Sequence, residues 1–249
     1  MGSKQRLRAL FFFVRLAFVS GRRALAALLL PLVLAGCASS SNLLSDVVSG
    51  VVSERWGAGK DSIAGAKLNP DLRYLRVEVV GRQPALLVLG YVDSHPQGDI
   101  EVWYSARREV IKTQNGRIVA TFGLETDWRA VRFSPSPAPW DDTGSQTRVF
   151  ERIRDEMPGY RFGLSERIES RYWPGGPPPG ASAMLGPAGQ VGLRWFRESA
   201  VGAAEGSDPP SWYAWGNHGG RATVVYSEQC LAPAFCLRLT RWPVQGGAG

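Results

Sequence analysis

The sequence predicts a mainly β fold, in which antiparallel meanders form a sandwich or a partly open barrel, with one N-terminal helix. From Leu75 to Val79 apolar and charged residues alternate with a period of two, which is typical of a half-buried strand. Asn115-Gly116 between two short apolar runs is a strong hairpin signal, because both turn positions need positive φ. Clusters of Gly, Pro and Asp between the apolar runs supply further turns.

Residues 1–36 are predicted to be a signal peptide that is removed. Arg22-Arg23 precede the apolar run Ala24–Leu34, which is shorter than the roughly 20 residues that span a bilayer and is typical of a secretory signal. The residues that end it, Leu-Ala-Gly-Cys37, resemble the lipobox of bacterial lipoproteins. This resemblance implies that Cys37 becomes the lipidated first residue, and several acyl chains together make a firm anchor. A chance cysteine after an ordinary signal peptide is the alternative.

The chain after Cys37 is expected to lie in the periplasm. Ala38 stands where an Asp typically retains lipoproteins in the inner membrane, so the resemblance implies lipid anchoring to the outer membrane, facing the periplasm. Residues 37–42 then form the lipidated cysteine and its tether, and residues 43–249 form the β-rich domain. Leucine and valine residues recur at helical spacing over residues 43–52, which predicts the helix directly after the anchor.

The charge distribution argues against a nucleic-acid partner. The chain has 29 Lys and Arg against 22 Asp and Glu, a formal charge of +7. Six of the basic residues and no acidic ones lie in the predicted signal peptide, which leaves 23 basic against 22 acidic side chains in the remainder. A groove that follows phosphates needs a clustered positive surplus, so we expect no nucleic-acid binding.

Alternation and turn residues predict strands along most of the domain. The segments with this pattern are residues 75–79, 84–92, 100–104, 109–113, 118–120, 128–133, a strand pair within 160–172, residues 190–201 and a closing hairpin within 212–242. A Pro-rich break near 134–145 could divide the domain into two β subunits. Pro179–Gly186 is similar to Pro84–Gly90, which suggests a duplicated β unit.

Cys230 and Cys236 are the two cysteines that remain when Cys37 is lipidated. Thiols of exported proteins tend to pair in an oxidising compartment, and five intervening residues allow a tight loop or hairpin. We therefore predict a disulfide. Two buried thiols and a redox pair are the alternatives, although redox motifs usually have two intervening residues.

An ordered set of short motifs resembles a known family. Its members in this chain are Leu-Asn-Pro-Asp-Leu-Arg-Tyr-Leu-Arg-Val (68–77), Leu-Gly-Tyr-Val-Asp (89–93), Glu-Val-Trp-Tyr-Ser (101–105), Asn-Gly-Arg (115–117), Asp-Trp (127–128), Pro-Gly-Tyr (158–160) and Tyr-Ser-Glu-Gln (226–229) followed by Pro233. With the lipobox, they resemble the group 4 capsule polysaccharide lipoprotein family, also called YjbF/GfcB. The resemblance implies a role beside exopolysaccharide or capsule export components, which include an outer-membrane β-barrel protein. Residues 174–189 and the Cys230/Cys236 pair depart from the pattern.

Aromatic residues offer a candidate contact surface. Trp103 and Trp128 lie within alternating strands and are expected in the core. Trp212, Tyr213 and Trp215 are close in sequence, and both faces of such a strand are hard to bury, so part of this cluster is predicted to contact a glycan or a partner protein.

Sequence motifs for catalysis or metal binding are not recognisable. The chain has two His residues and no nucleophile elbow, phosphate loop or dinucleotide pattern. We therefore expect no catalytic residue, no metal site and no cofactor. A pair of acids such as Glu125/Asp127, Asp141/Asp142 or Asp155/Glu156 could still serve a glycosidase.

The sequence thus predicts a non-catalytic outer-membrane lipoprotein that assists exopolysaccharide export or assembly by protein docking or glycan binding. Two alternatives are a glycan-modifying enzyme with a carboxylate pair and a structural envelope lipoprotein whose deletion leaves the polysaccharide unchanged.

Overall fold

The computed structural model describes residues 63, 65–141, 146–202 and 208–245. The predicted signal peptide, Cys37, the tether and the helix over residues 43–52 lie outside the described residues. In the part of the chain that is described, no helix is long and apolar enough to cross a membrane.

Twelve strands make up most of the described chain. The first six are β1 (Tyr74–Val79), β2 (Ala85–Asp93), β3 (Ile100–Tyr104), β4 (Val110–Gln114), β5 (Arg117–Phe122) and β6 (Asp127–Ser134). The next three are β7 (Arg148–Met157), β8 (Arg161–Tyr172) and β9 (Arg194–Ala200), and the last three are β10 (Ser211–His218), β11 (Arg221–Ala232) and β12 (Phe235–Trp242). Between β8 and β9 lie the helix α1 (Pro179–Leu185) and a single 3₁₀ turn (Ala188–Gln190).

The strands form one antiparallel sheet that is nearly closed into a barrel, which confirms the prediction of a partly open barrel. Their order is β5-β4-β3-β2-β1-β12-β11-β10-β9-β8-β7-β6. The two edge strands, β5 and β6, face each other, and the backbone N–H of Trp128 donates to Oγ1 of Thr121 at 3.0 Å. The Thr121 hydroxyl therefore accepts a backbone hydrogen bond where β5 and β6 do not form a continuous strand ladder.

Because neighbouring strands are antiparallel, every turn that follows an odd-numbered strand lies at the same end of the barrel. Odd-numbered strands run towards the end that holds the β1–β2, β7–β8 and β11–β12 turns, because every neighbouring pair is antiparallel. We call it the disulfide end, since Cys230 and Cys236 are paired across the β11–β12 hairpin there. The predicted disulfide is confirmed.

The inner face of the sheet carries the main core. Leu75 and Val77 of β1 point inwards, and the predicted core residues Trp103 and Trp128 are each 1% exposed, which confirms that interpretation. The other buried members of this cluster are Leu87, Ile111, Ile118, Leu231, Phe235, Leu237 and Leu239.

Helix α1 covers part of the outer face. Ala181, Met184 and Leu185 pack against a buried cluster that includes Trp195 and Tyr226. The prediction of a duplicated β unit at Pro179–Gly186 is therefore wrong. Its apolar residues follow helical spacing, and a proline at the first turn is compatible with a helix.

Strands β7 and β8 differ from the sequence prediction. Residues 160–172 were predicted to be a strand pair, whereas β8 is one long strand that pairs with β7. The sequence of β7 does not show the usual apolar alternation, because Arg152 and Arg154 occupy inward positions beside the Trp128 ring. Strands β6 and β7, on either side of the Pro-rich break, pair within the same sheet.

Candidate functional site

The predicted cluster Trp212, Tyr213 and Trp215 lies on β10, and the structure divides it between the two faces of the sheet. Tyr213 is 1% exposed, and its hydroxyl donates to Oε1 of Gln229 at 3.1 Å. Burial raises the pKa of this phenol. The Tyr213 ring is therefore part of the core, and its face is covered by protein.

Trp212 lies half-buried on the outer face. Its ring packs edge-to-face against Trp173, with centroids 5.4 Å apart. The guanidinium of Arg197 lies 5.7 Å from one ring and 5.8 Å from the other. Two indoles and an arginine thus form a small amphipathic surface, which can offer both a ring face and hydrogen-bond donors to a ligand.

Trp215 lies half-buried on the inner face, at the end opposite the disulfide. The register of β10 with β11 shifts between Ala214 and Trp215, so the pairing is irregular just before Trp215. The Trp215 ring packs against the buried cluster that contains Trp140 and Phe196. Trp212 and Trp215 consequently belong to two separate surfaces, and their contact with a glycan or partner stays a prediction.

A buried ion pair crosses the interior of the sheet. Arg117 of β5 donates from Nη2 to Glu198 of β9 at 2.6 Å and from Nε at 3.1 Å. The two side chains are each 5% exposed. The guanidinium also lies 3.9 Å from the centroid of the Trp140 ring. Strands that are distant in the sheet are therefore joined by a charge-assisted contact, and each partner removes the cost of burying the other.

A cavity of about 290 Å³ opens towards the disulfide end. Three carboxylates line it: Glu166 from β8, Glu198 from β9 and Asp208 from the segment before β10. The remaining lining residues are Arg152, Ile168, Ser199, Ala200, Pro209, Ser211 and Pro233. Pro233 belongs to the tight turn that the disulfide closes, so the disulfide fixes one wall of the cavity.

Arg154 connects the carboxylates of this cavity. Its Nη1 donates to Glu166, and its Nη2 lies 3.6 Å from Oδ2 of Asp208. Arg152 also pairs with Glu166, at 2.5 Å. Arg152 lines the cavity together with the three carboxylates, and Arg154 supports two of them from behind, so each of these acids faces a guanidinium group.

The two half-buried acids differ in their protonation behaviour. Burial alone would raise the pKa of Glu166, but the guanidinium groups of Arg152 and Arg154 outweigh it and hold this pKa below its usual value. Burial raises the pKa of Asp208, and the more distant charge of Arg154 only partly opposes that effect. Sequence reasoning missed this pair, because Glu166 and Asp208 are 42 positions apart and neither lies in a recognisable motif.

Of the acid pairs suggested by sequence, Glu125/Asp127 and Asp155/Glu156 do not line this cavity, and Asp142 of the third pair lies outside the described residues. Glu125 pairs with the exposed Arg82, and Asp127 accepts backbone N–H groups of the β5–β6 turn. Glu156 pairs with Arg161. Within the described ranges, no group of three or more His, Cys, Asp and Glu side chains could hold a metal ion.

Exposed aromatic side chains occur at the β7–β8 turn, also at the disulfide end. Tyr160 is 76% exposed and Phe162 is 63% exposed, with Arg161 between them. Tyr160 has a φ of 53°, a conformation uncommon for a bulky residue. We call residues 158–162 the aromatic tip. Pro158-Gly159-Tyr160 was recognised in the sequence as a family motif, but its exposure became visible only in the structure.

Comparison with known proteins supports the resemblance seen in the sequence. Residues 67–177 match the model of the family described as group 4 capsule polysaccharide lipoprotein gfcB, YjbF, which confirms that resemblance over this segment. Among solved structures, the crystal structure of the hypothetical lipoprotein YmcC from Escherichia coli (K12) is similar, with 14% sequence identity and a TM-score of 0.49. That alignment covers 72% of this chain and 86% of YmcC. No curated protein matched the chain.

Proposed function

We propose that this chain, whose residues 67–177 match the group 4 capsule polysaccharide lipoprotein family, assists the export or assembly of an exopolysaccharide or capsule. It would be anchored in the outer membrane through lipidated Cys37, face the periplasm and act without covalent chemistry. Its partner would be an outer-membrane β-barrel or another export component.

The aromatic tip is the observation that carries this proposal. Tyr160 and Phe162 are the two most exposed aromatic side chains among the described residues. Contact of exposed aromatic side chains with water is unfavourable. Such side chains are enriched at protein interfaces, where Arg is also favoured. The tip supplies both kinds of side chain at the end of a hairpin, in a position that can enter a groove on a partner.

Docking through a sheet edge is less compatible with the structure. The β5 and β6 edges lie against each other, and Gly123 donates its backbone N–H to Asp127 at 3.0 Å across the β5–β6 turn. Free backbone donors and acceptors are the template for strand addition. A partner is therefore more readily recognised by the side chains of the tip.

In-cell crosslinking of the lipidated protein, followed by detergent extraction and mass spectrometry, tests the docking role. We expect an export component to co-purify in stoichiometric yield. Tyr160→Asn with Phe162→Ser should reduce that yield at least fivefold, and Asn is chosen because it tolerates positive φ. Val191→Ser is the matched control, because it removes an apolar side chain that is 65% exposed elsewhere and should leave the yield unchanged.

Two results would contradict the proposal. If the protein is recovered alone, docking loses its support. If deletion of the gene leaves the amount and length of the polysaccharide unchanged, the alternative of a structural envelope lipoprotein is favoured instead.

Glycan cleavage remains a second candidate because of Asp208 and Glu166. A pair of acids whose pKa values are shifted in opposite directions is the arrangement that glycosidases use for acid and base roles. Both acids are engaged by Arg154, however, and the described residues that line the cavity include no aromatic side chain. Release of new reducing ends from the cell's own polysaccharide, lost in Asp208→Asn, would establish this activity in place of the accessory role.

A further inference from the structure

We propose that the cavity at the disulfide end binds one neutral sugar residue, through hydroxyl groups held between carboxylates and guanidinium groups. This inference rests on the proposed function, since it names the ligand through which a capsule-associated protein would contact the glycan. It assigns the binding to the interior cavity, whereas the sequence pointed to the tryptophans of β10.

The charges around the cavity balance one another. The carboxylates of Glu166 and Asp208 both lie against Arg154, and Glu166 also pairs with Arg152. The third carboxylate, on Glu198, is held by Arg117 behind the cavity wall. Arg154 also pairs with Glu156, which is held by Arg161 as well. Since four carboxylates thus stand against four guanidinium groups, a charged ligand would gain little net attraction here.

A neutral polyhydroxyl ligand matches this wall best. Its hydroxyls can donate to the three lining carboxylates, and one of them can accept from an N–H of Arg152, so the existing ion pairs need not be broken. An acidic sugar would bring its carboxylate towards three others, and it could bind Arg152 only by displacing Glu166. Glu166 would then keep only Arg154 as a partner, and the loss of one of two guanidinium contacts in a half-buried site opposes the binding of such a ligand.

The cavity volume limits the ligand to a single unit. About 290 Å³ is at the lower limit of small-molecule pockets, which start at roughly 300 Å³. Ile168, Pro209 and Pro233 give the cavity an apolar part that can contact the C–H groups of a sugar ring. A side branch or chain end of a polysaccharide therefore fits better than an internal stretch.

Binding is measured on the detergent-extracted full chain by saturation-transfer NMR. The ligands are oligosaccharides from partial hydrolysis of the producing cell's exopolysaccharide, separated by anion exchange into neutral and acidic fractions. We expect transfer to the neutral fraction. Asp208→Asn should weaken binding about tenfold or more, the loss expected for a hydrogen bond to a charged group.

A second variant separates loss of binding from loss of structure. Ala200→Leu fills the cavity with an apolar side chain and leaves every ion pair in place, so it should also abolish transfer. Asp99→Asn is the control, because Asp99 is an exposed acid in the β2–β3 turn at the opposite end, and it should bind as the unaltered protein does. Thermal unfolding of each variant checks that the fold is retained.

The proposal is overturned if only the acidic fraction binds, if neither fraction binds, or if folded Asp208→Asn and Ala200→Leu bind normally. These results leave the crosslinking experiment unaffected, because the aromatic tip contributes no residue to the cavity. If no sugar binds in the cavity but an export component still co-purifies, the function would be confined to docking.

Discussion

Breaking the buried pair Arg117–Glu198 from one side is expected to cost more stability than breaking an exposed ion pair. Arg117→Met removes two hydrogen bonds, of 2.6 and 3.1 Å, and leaves Glu198 buried and uncompensated. Breaking such a pair from one side costs about 3–5 kcal/mol. For a chain of this size, each kcal/mol lowers the melting temperature by about 2–4 °C, so the expected decrease is roughly 6–20 °C.

A double-mutant cycle tests the physical reason for this loss. Replacing both Arg117 and Glu198 by Met removes the unpaired charge, so the double variant should be within about 1 kcal/mol of the original protein. Arg82→Met is the control, because Arg82 and Glu125 form an exposed pair with side chains 58% and 63% exposed. That change should cost less than about 1 kcal/mol.

Thermal and urea unfolding of the detergent-extracted protein, followed by near-UV circular dichroism of the tryptophans, provides the free energies. The reasoning is refuted if the two single losses simply add in the double variant. It is also refuted if Arg117→Met is no more damaging than Arg82→Met.

Three further predictions concern the disulfide, one glycine and the acids of the cavity. Replacing both cysteines of the disulfide by serine should lower the free energy of unfolding by about 2 kcal/mol, the chain-entropy value for so short a loop, as urea denaturation can measure; an unchanged midpoint would contradict this. Gly116→Ala should destabilise the protein by about 1–3 kcal/mol more than Gly219→Ala, because both glycines have positive φ but only the first would place a Cβ 2.5 Å from the Val224 side chain; equal losses in thermal unfolding would show that this close approach is harmless. The pKa of Glu166 is lowered in the folded state, so its ionised form adds stability that is present above its usual pKa, near 4.5, and is lost as the pH falls. The pKa of Asp208 is raised, so its ionisation costs stability as the pH increases above its usual value. Unfolding between pH 3 and 7 should therefore show a loss in Glu166→Gln that is largest at neutral pH and a loss in Asp208→Asn that decreases as the pH rises; parallel profiles would contradict both assignments.

The sequence by itself determined the β class and several local features. Alternation at Leu75–Val79 and the Asn115-Gly116 turn predicted strands that the structure contains, because period-two burial and positive φ are local requirements. The pairing of Cys230 with Cys236 and the burial of Trp103 and Trp128 were predicted for the same kind of reason.

The tertiary structure decided what local patterns do not encode. Strand β7 was not predicted, because its inward residues Arg152 and Arg154 are polar and find their partners on β8 and before β10. Tyr213 was predicted at a contact surface but is buried, and the neighbouring strand β11 supplies Gln229 for its hydroxyl. Pairing of the neighbouring strands β7 to β10 brings together groups that are far apart in sequence, and most of the cavity with Glu166 and Asp208 is lined by these strands.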